Sequence, residues 1–230
     1  MPCQYYPPAD LDELEEAATL ATSEQQKEGL QVIGDIFNAN KLPYGVMGGT
    51  NFYLRGSGRT TDDVDVAVTG TQSLEATLNL LNEEERVTRP RNKMSWLGGV
   101  ARIFVLVRRQ QVQIDLKWQR ADGHGMPDDL IASTELLQII HGGSGVRFFK
   151  IRPLVKAKFQ SYGRGKPGDY VDLLFVCRHA NYSKEVKAIA SEVRLDKREL
   201  FLQEVLETNP ADGDAVRRVL GLEGNITAET

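Results

Sequence analysis

Six residues constrain this chain more than any others. Asp63-Val64-Asp65-Val66-Ala67-Val68 sets acids at 63 and 65 against valines at 64, 66 and 68. A period of two is that of a β-strand, whose successive side chains point to opposite faces. The valine face asks for a core. The other face then carries two carboxylates about 7 Å apart along the backbone. Acids projecting side by side from a buried strand repel each other. They persist most easily when a cation neutralises them, and hard divalent ions prefer carboxylate oxygen. The plainer account is a solvated strand end, since acids are mostly exposed.

Two neighbouring segments weigh against the plainer account. Val112-Gln113-Ile114-Asp115-Leu116-Lys117-Trp118 alternates in the same way, with Asp115 opposite Val112, Ile114 and Leu116. It offers a third carboxylate on a second strand. Three such groups on adjacent strands suit two Mg²⁺ ions, or Mn²⁺ in their place, and an in-line displacement at phosphorus. Upstream, Tyr44-Gly45-Val46-Met47 reads as a buried strand, broken by Gly48-Gly49-Thr50 ahead of a short helix from Asn51 to Leu54. Glycines let backbone approach a phosphate, and a helix N-terminus offers free N–H groups. Thr50 adds a hydroxyl donor. The competing reading of Gly48-Gly49 is an ordinary tight turn.

The rest of the chain supplies the frame. Helices are expected at 10–21 and 24–40, the second opened by a Ser23/Gln26 capping box and closed before Pro43. Another is expected over Ser73–Leu81. Ala101–Arg108 and Gln111–Trp118 read as a hairpin, as do Glu135–His141 and Val146–Ile151 around Gly142-Gly143-Ser144-Gly145. From Pro153 the pattern turns helical, with Gly163 as a stop and helices at 169–179, 183–192, 195–207 and 212–220. Residues 222–230 read as frayed. The chain thus divides into a mixed α/β part, 1–152, and a helical part, 153–230.

The net charge of −4 is unevenly spread. Residues 10–28 hold seven acids and one base, read as solvated surface, whereas residues 147–166 hold seven bases and no acid. Within that basic stretch Lys158 falls in the apolar stripe of Ile151, Leu154, Val155, Phe159 and Tyr162. A lysine so placed either snorkels or meets an anion. Two widely separated cysteines, Cys3 and Cys177, give no disulfide framework and point to a reducing, cytoplasmic setting without a disulfide-linked partner. No apolar run is long enough to span a membrane, and Met1–Asp10 has no signal-peptide pattern. His124, His141 and His179 lack metal-ligand spacing. Gly142–Gly145 is no phosphate loop, since no Lys-Ser/Thr follows. Trp96 and Trp118 suit base stacking or, more commonly, a core.

These residues resemble the nucleotidyltransferase superfamily with the DNA polymerase β-type fold. Met47-Gly48-Gly49, thirteen residues, then Asp63-Val64-Asp65-Val66 and a later Asp115 match its signature. Arg59-Thr60-Thr61-Asp62-Asp63-Val64-Asp65 is similar to the R-x-T-x-D-h-D form (h, apolar) of AbiEii-type toxins and, with variation, of small aminoglycoside nucleotidyltransferases. Lys158-Phe159, Arg164-Gly165-Lys166 and Asp169-Tyr170-Val171-Asp172-Leu173 continue the AbiEii-like likeness, which spans about Tyr44 to Val176.

The resemblance implies an α+β fold, a mixed β-sheet flanked by helices, with a C-terminal helical subdomain. It implies a Mg²⁺-dependent transferase that moves a nucleoside monophosphate from an NTP, ATP included, to an acceptor hydroxyl. Asp63, Asp65 and Asp115 would hold metal and act in catalysis. Gly48, Gly49, Thr50, Arg59, Lys158 and Arg164 would bind the nucleotide. The acceptor class, whether RNA, small molecule or protein, stays open, as do the roles of Asp169 and Asp172. The alternative is a non-catalytic nucleotide- or partner-binding module on the same fold.

Overall fold

The computed structural model describes residues 2–71, 73–91, 99–118 and 126–223. Trp96, His124 and the segment 224–230 lie outside them. The chain divides into two compact units: residues 1–54 with 60–149, and residues 55–59 with 150–230.

The first unit is built on an eight-stranded mixed sheet. Its strands are β1 (Gln4–Tyr6), β2 (Tyr44–Met47), β3 (Asp63–Val68), β4 (Val87–Pro90), β5 (Val100–Val107), β6 (Gln110–Trp118), β7 (Thr134–Leu137) and β8 (Val146–Phe149). Their order across the sheet is β1-β4-β5-β6-β3-β2-β8-β7. The central pair, β3 and β6, runs parallel with Asp65 beside Asp115. β2 flanks β3 antiparallel, and β5 flanks β6 antiparallel. Both expected hairpins form, β5–β6 and β7–β8.

Among the described residues of this unit the α-helices are α1 (Leu11–Ala18), α2 (Ser23–Ala39), the short α3 (Gly48–Phe52) and α4 (Leu74–Asn79). Leu30, Ile33 and Phe37 of α2 are fully buried and join Val64, Val66, Val68, Ile103, Val105, Val112, Ile114 and Leu116 in one core. The valine face of β3 therefore points to α2. The opposite face, which carries the acids, is covered further along by α1, where Leu11 and Leu14 pack near Tyr6, Ala18 and Phe104.

Several local expectations shift. α2 is opened by Thr22, not Ser23: Gln25 N–H donates to the Thr22 hydroxyl and Thr22 N–H to the Gln25 side chain. α3 begins at Gly48, not at Asn51. β1 and β4, a parallel pair at one sheet edge, have no counterpart in the sequence reading.

The second unit is helical: α5 (Ile151–Ser161), α6 (Pro167–Arg178), α7 (Tyr182–Ile189), α8 (Leu195–Thr208) and α9 (Gly213–Val219). Pro153 is the third residue of α5, still among the positions whose N–H has no helical partner. Gly163, with φ of +88°, ends the turn that follows. Phe201 of α8 sits edge-on to Phe159 and Tyr162, with Tyr170 beside it, at ring separations of 5.4–5.9 Å.

Candidate active site

β3 and β6 bring the three acids together. Asp63 and Asp65 leave the same face of β3, and Asp115 stands in register with Asp65 on β6. One carboxylate oxygen from each lies within 4.8 Å of the others. This is the group of metal-ligating side chains found among the described residues. Three hard oxygen donors at that spacing fit a divalent cation. Asp62 is exposed and is not part of this group.

Their environments differ. Asp115 is buried, while Asp63 and Asp65 are half-buried. Burial raises the Asp115 carboxyl above the usual aspartate range. A hydrogen bond from Gln113 Nε2 at 3.0 Å and the Arg102 charge oppose that rise, and neighbouring Asp65 adds to it. Arg102 lies opposite Asp115 on β5, with Nε 3.3 Å from Oδ1. The same guanidinium is paired with Glu15 of α1. Lys117, two residues beyond Asp115, places Nζ 2.6 Å from Asp65 Oδ1.

Arg102, Lys117 and Glu15 have no site role in the sequence reading. The period-two pattern does put Lys117 on the acid face. Arg102 and Glu15 need the sheet register and the seat of α1, which no local pattern carries. Acids of the N-terminal run thus have partners: Glu15 meets Arg102, Glu24 meets Lys27 and Glu28 meets Arg108.

The glycine turn touches the acids directly. Gly48 has φ of +66°, and a Cβ there would stand 2.1 Å from Asp65 Oδ2. Gly49 is buried behind it in α3. Thr50 does not offer a free hydroxyl: it is buried, with Oγ1 3.1 Å from the Asp63 carbonyl oxygen and 3.1 Å from Thr61 Oγ1. Asn51, also buried, donates to the carbonyls of Val46 and Phe149 and pins α3 to β2 and β8. Trp118 packs against the main core.

Arg59, Lys158 and Arg164 all lie in the second unit, where they converge on Asp169 and Asp172. Arg59 holds Asp172 with two N–H donors, at 3.1 and 2.8 Å. Lys158 is buried, with Nζ 2.9 Å from Asp169 and 3.0 Å from Asp172. Arg164 donates to Asp169 at 3.0 and 3.3 Å. The inward-facing lysine has found its anions within the chain. Burial works to raise Asp169, but the hydrogen bonds and charges of Arg164 and Lys158 outweigh it and hold the carboxyl below its usual range. Asp169 is the third residue of α6, and Lys166 occupies the cap position. Gly168 gives Arg59 its path, since a Cβ there would come within 2.8 Å of the guanidinium.

Cys3 and Cys177 are buried and free, and burial pushes the Cys177 thiol up to about 12. His179 stacks on Tyr182 at 3.9 Å rather than facing a metal cluster. Among the described residues no helix is long and apolar enough to cross a membrane.

No family model and no curated protein matches the sequence. Solved structures do match. An antigenic nucleotidyltransferase-like protein from Paracoccidioides brasiliensis aligns with 86% of this chain and 94% of its own, at a TM-score of 0.56 and 14% identity. A proposed nucleotidyltransferase from H. pylori aligns over 94% and 95% of the two chains, at a TM-score of 0.48 and 14% identity. The antibiotic-resistance factor ANT(2'')-Ia aligns over 83% and 96%, at 0.45 and 14%. At such identity the first of these establishes a shared architecture. The chain has the fold of the nucleotidyltransferase-like proteins.

Proposed function

We propose that this protein is a metal-dependent nucleotidyltransferase that moves a nucleoside monophosphate from an NTP to an acceptor hydroxyl. The observation that carries the reading is the convergence of Asp63, Asp65 and Asp115 within 4.8 Å on paired strands. The acceptor oxygen forms a bond to the α-phosphorus. The bond from that phosphorus to the bridging oxygen breaks, and pyrophosphate leaves with the electron pair.

Asp63, Asp65 and Asp115 would hold Mg²⁺ or Mn²⁺, which supplies charge neutralisation at phosphorus and activation of the hydroxyl. Asp115, the most buried of the three, takes the acceptor proton. Gly48 and Gly49 leave backbone open beside the acids for the phosphates, and Thr50 keeps that turn in place through Asp63. Arg59, Lys158 and Arg164 are the cations this reading assigns to the nucleotide, since a cluster of positive side chains attracts a polyphosphate. Much of the catalytic effect is positioning and electrostatics. The free, buried cysteines fit a cytoplasmic setting.

A labelled-NTP assay tests this. Purified protein is incubated with cell extract, Mg²⁺ and each α-labelled NTP in turn. Label is expected in a macromolecule or small hydroxylated acceptor, with loss of at least about a hundredfold in Asp63→Asn and Asp65→Asn. Full transfer by those variants would end the proposal. The labelled species identifies the acceptor as RNA, small molecule or protein.

A second reading, a non-catalytic binding module, has one observation on its side. Lys117 and Arg102 already supply cations to Asp65 and Asp115. Calorimetry with NTP and Mg²⁺ beside the transfer assay separates the two: binding without turnover selects the module.

A further inference from the structure

Lys117 has no part in the ligand sets above, yet it makes a close contact with the acid cluster. It follows Asp115 by two residues on β6 and so leaves the same sheet face. Its Nζ is 2.6 Å from Asp65 Oδ1, with the two side chains 19% and 18% exposed. Asp65 Oδ2 faces the Gly48 turn, where a Cβ would come within 2.1 Å of it. One oxygen of Asp65 is therefore held by an ammonium, and the other faces a turn with no space for a side chain.

We propose that Lys117 is a resident counter-ion that a metal displaces from Asp65, and that its ammonium then passes to a phosphate of the incoming nucleotide. The proposal rests on the metal-dependent reading above. A divalent cation that arrives alone meets Lys117 as well as the three acids. To use Asp65 Oδ1 it must break the ion pair and leave a partly buried ammonium without an anion, which is unfavourable. A cation that arrives with a triphosphate brings the replacement anion. Metal and nucleotide then strengthen each other's binding by the same factor. A lysine that merely joined β6 to β3 would produce no such coupling.

The test uses Mn²⁺ as probe and the full chain. Free Mn²⁺ is followed by electron paramagnetic resonance, with and without a non-hydrolysable ATP analogue. The proteins are wild type, Lys117→Met, Lys117→Gln, Lys117→Arg and Asp63→Asn, each checked by circular dichroism. Lys117→Met or Lys117→Gln, whichever folds, is expected to bind Mn²⁺ alone about tenfold more tightly than wild type, and the tightening by nucleotide, beyond the Mn²⁺ the analogue binds in protein-free controls, is expected to shrink by about the same factor. Lys117→Arg keeps the charge and is expected to follow wild type. Unchanged or weaker Mn²⁺ binding in the folded neutral variants, while Asp63→Asn abolishes binding, overturns this inference and leaves the metal reading standing. Failure of wild type to bind Mn²⁺ with the analogue present, or equal binding by Asp63→Asn, overturns both.

Discussion

A methyl group at residue 48 would occupy the space that an Asp65 oxygen fills, and it would do so on a backbone with φ of +66°. Both effects oppose Gly48→Ala. A non-glycine residue in the left-handed region costs about 1–2 kcal/mol, and the clash must also move Asp65. Gly48→Ala is expected to lower stability by roughly 2 kcal/mol and transfer by at least about tenfold, read by urea unfolding and the labelled-NTP assay. A variant with wild-type values in both would remove Gly48 from the site. A larger stability effect is expected at Asp172, which is fully buried between Arg59 and Lys158. Asp172→Asn removes the charge and leaves two cations to share what remains, an expected loss of about 3–5 kcal/mol in the urea midpoint analysis. A shift under about 1 kcal/mol would mean that the cluster relaxes without it. The sequence makes Asp63, Asp65 and Asp115 readable because their alternation with apolar residues survives in any register. It also shows Lys158 facing inward. It does not show that Asp169 and Asp172 receive Lys158, because those acids belong to a different helix. Nor does it show Arg102 on Asp115, which depends on how β5 slides against β6.

Among the elements, those that are long, strictly periodic or bounded by glycine turns are the readable ones. α2 declares itself through Leu30, Ile33 and Phe37, and β3 and β6 through alternation. β1 and β4 do not. They are three and four residues long and gain their stability from each other and from β5, a pairing between distant segments. The α2 cap differs by one residue from the sequence reading because both Thr22/Gln25 and Ser23/Gln26 fit the box. The β5–β6 hairpin is readable from its strands, but its turn is not. Two-residue turns between antiparallel strands favour positive φ at both central positions, and Asn-Gly is the usual pair. Here the positions are Arg108 and Arg109, with φ of 49° and 70°. Arg108 is paired with Glu28, so Arg109 is the one to change. Arg109→Gly removes the left-handed penalty and adds some chain entropy to the unfolded state, for an expected net gain of up to about 1 kcal/mol. A lower urea midpoint than wild type would show that the arginine side chain contributes more than its backbone costs.

Across the whole molecule, acid is expected to act with opposite sign on the two units. Asp169 of the second unit has its carboxyl lowered in the folded chain: burial alone would raise it, but Arg164 and Lys158 prevail. Its contribution to stability is present above the ordinary aspartate value of 3.8 and is lost as pH falls through the lower folded value. Asp115 of the first unit is raised, chiefly by burial. Ionised, it costs the folded state energy, and that cost is relieved as pH falls through its raised folded value toward 3.8. Going down from neutral pH in metal chelator, the first unit therefore gains from Asp115 before the second unit loses from Asp169. Trp118 lies on β6 of the first unit, so its fluorescence in a Trp96→Phe background follows that unit. Hydrogen exchange of peptides from 151–223, corrected for the intrinsic pH dependence, follows the other. At pH 3 the peptides are expected to lose protection relative to pH 5, and Asp169→Asn is expected to shrink that difference. Asp115→Asn is expected to flatten the rise in the fluorescence-detected melting temperature between pH 7 and pH 4.5. Equal protection of 151–223 at pH 3 and pH 5 would show that the pairing of Asp169 with Lys158 and Arg164 does not govern acid stability. A fluorescence melt unaffected by Asp115→Asn across the upper range would show that Gln113 and Arg102 already offset the burial of that carboxyl.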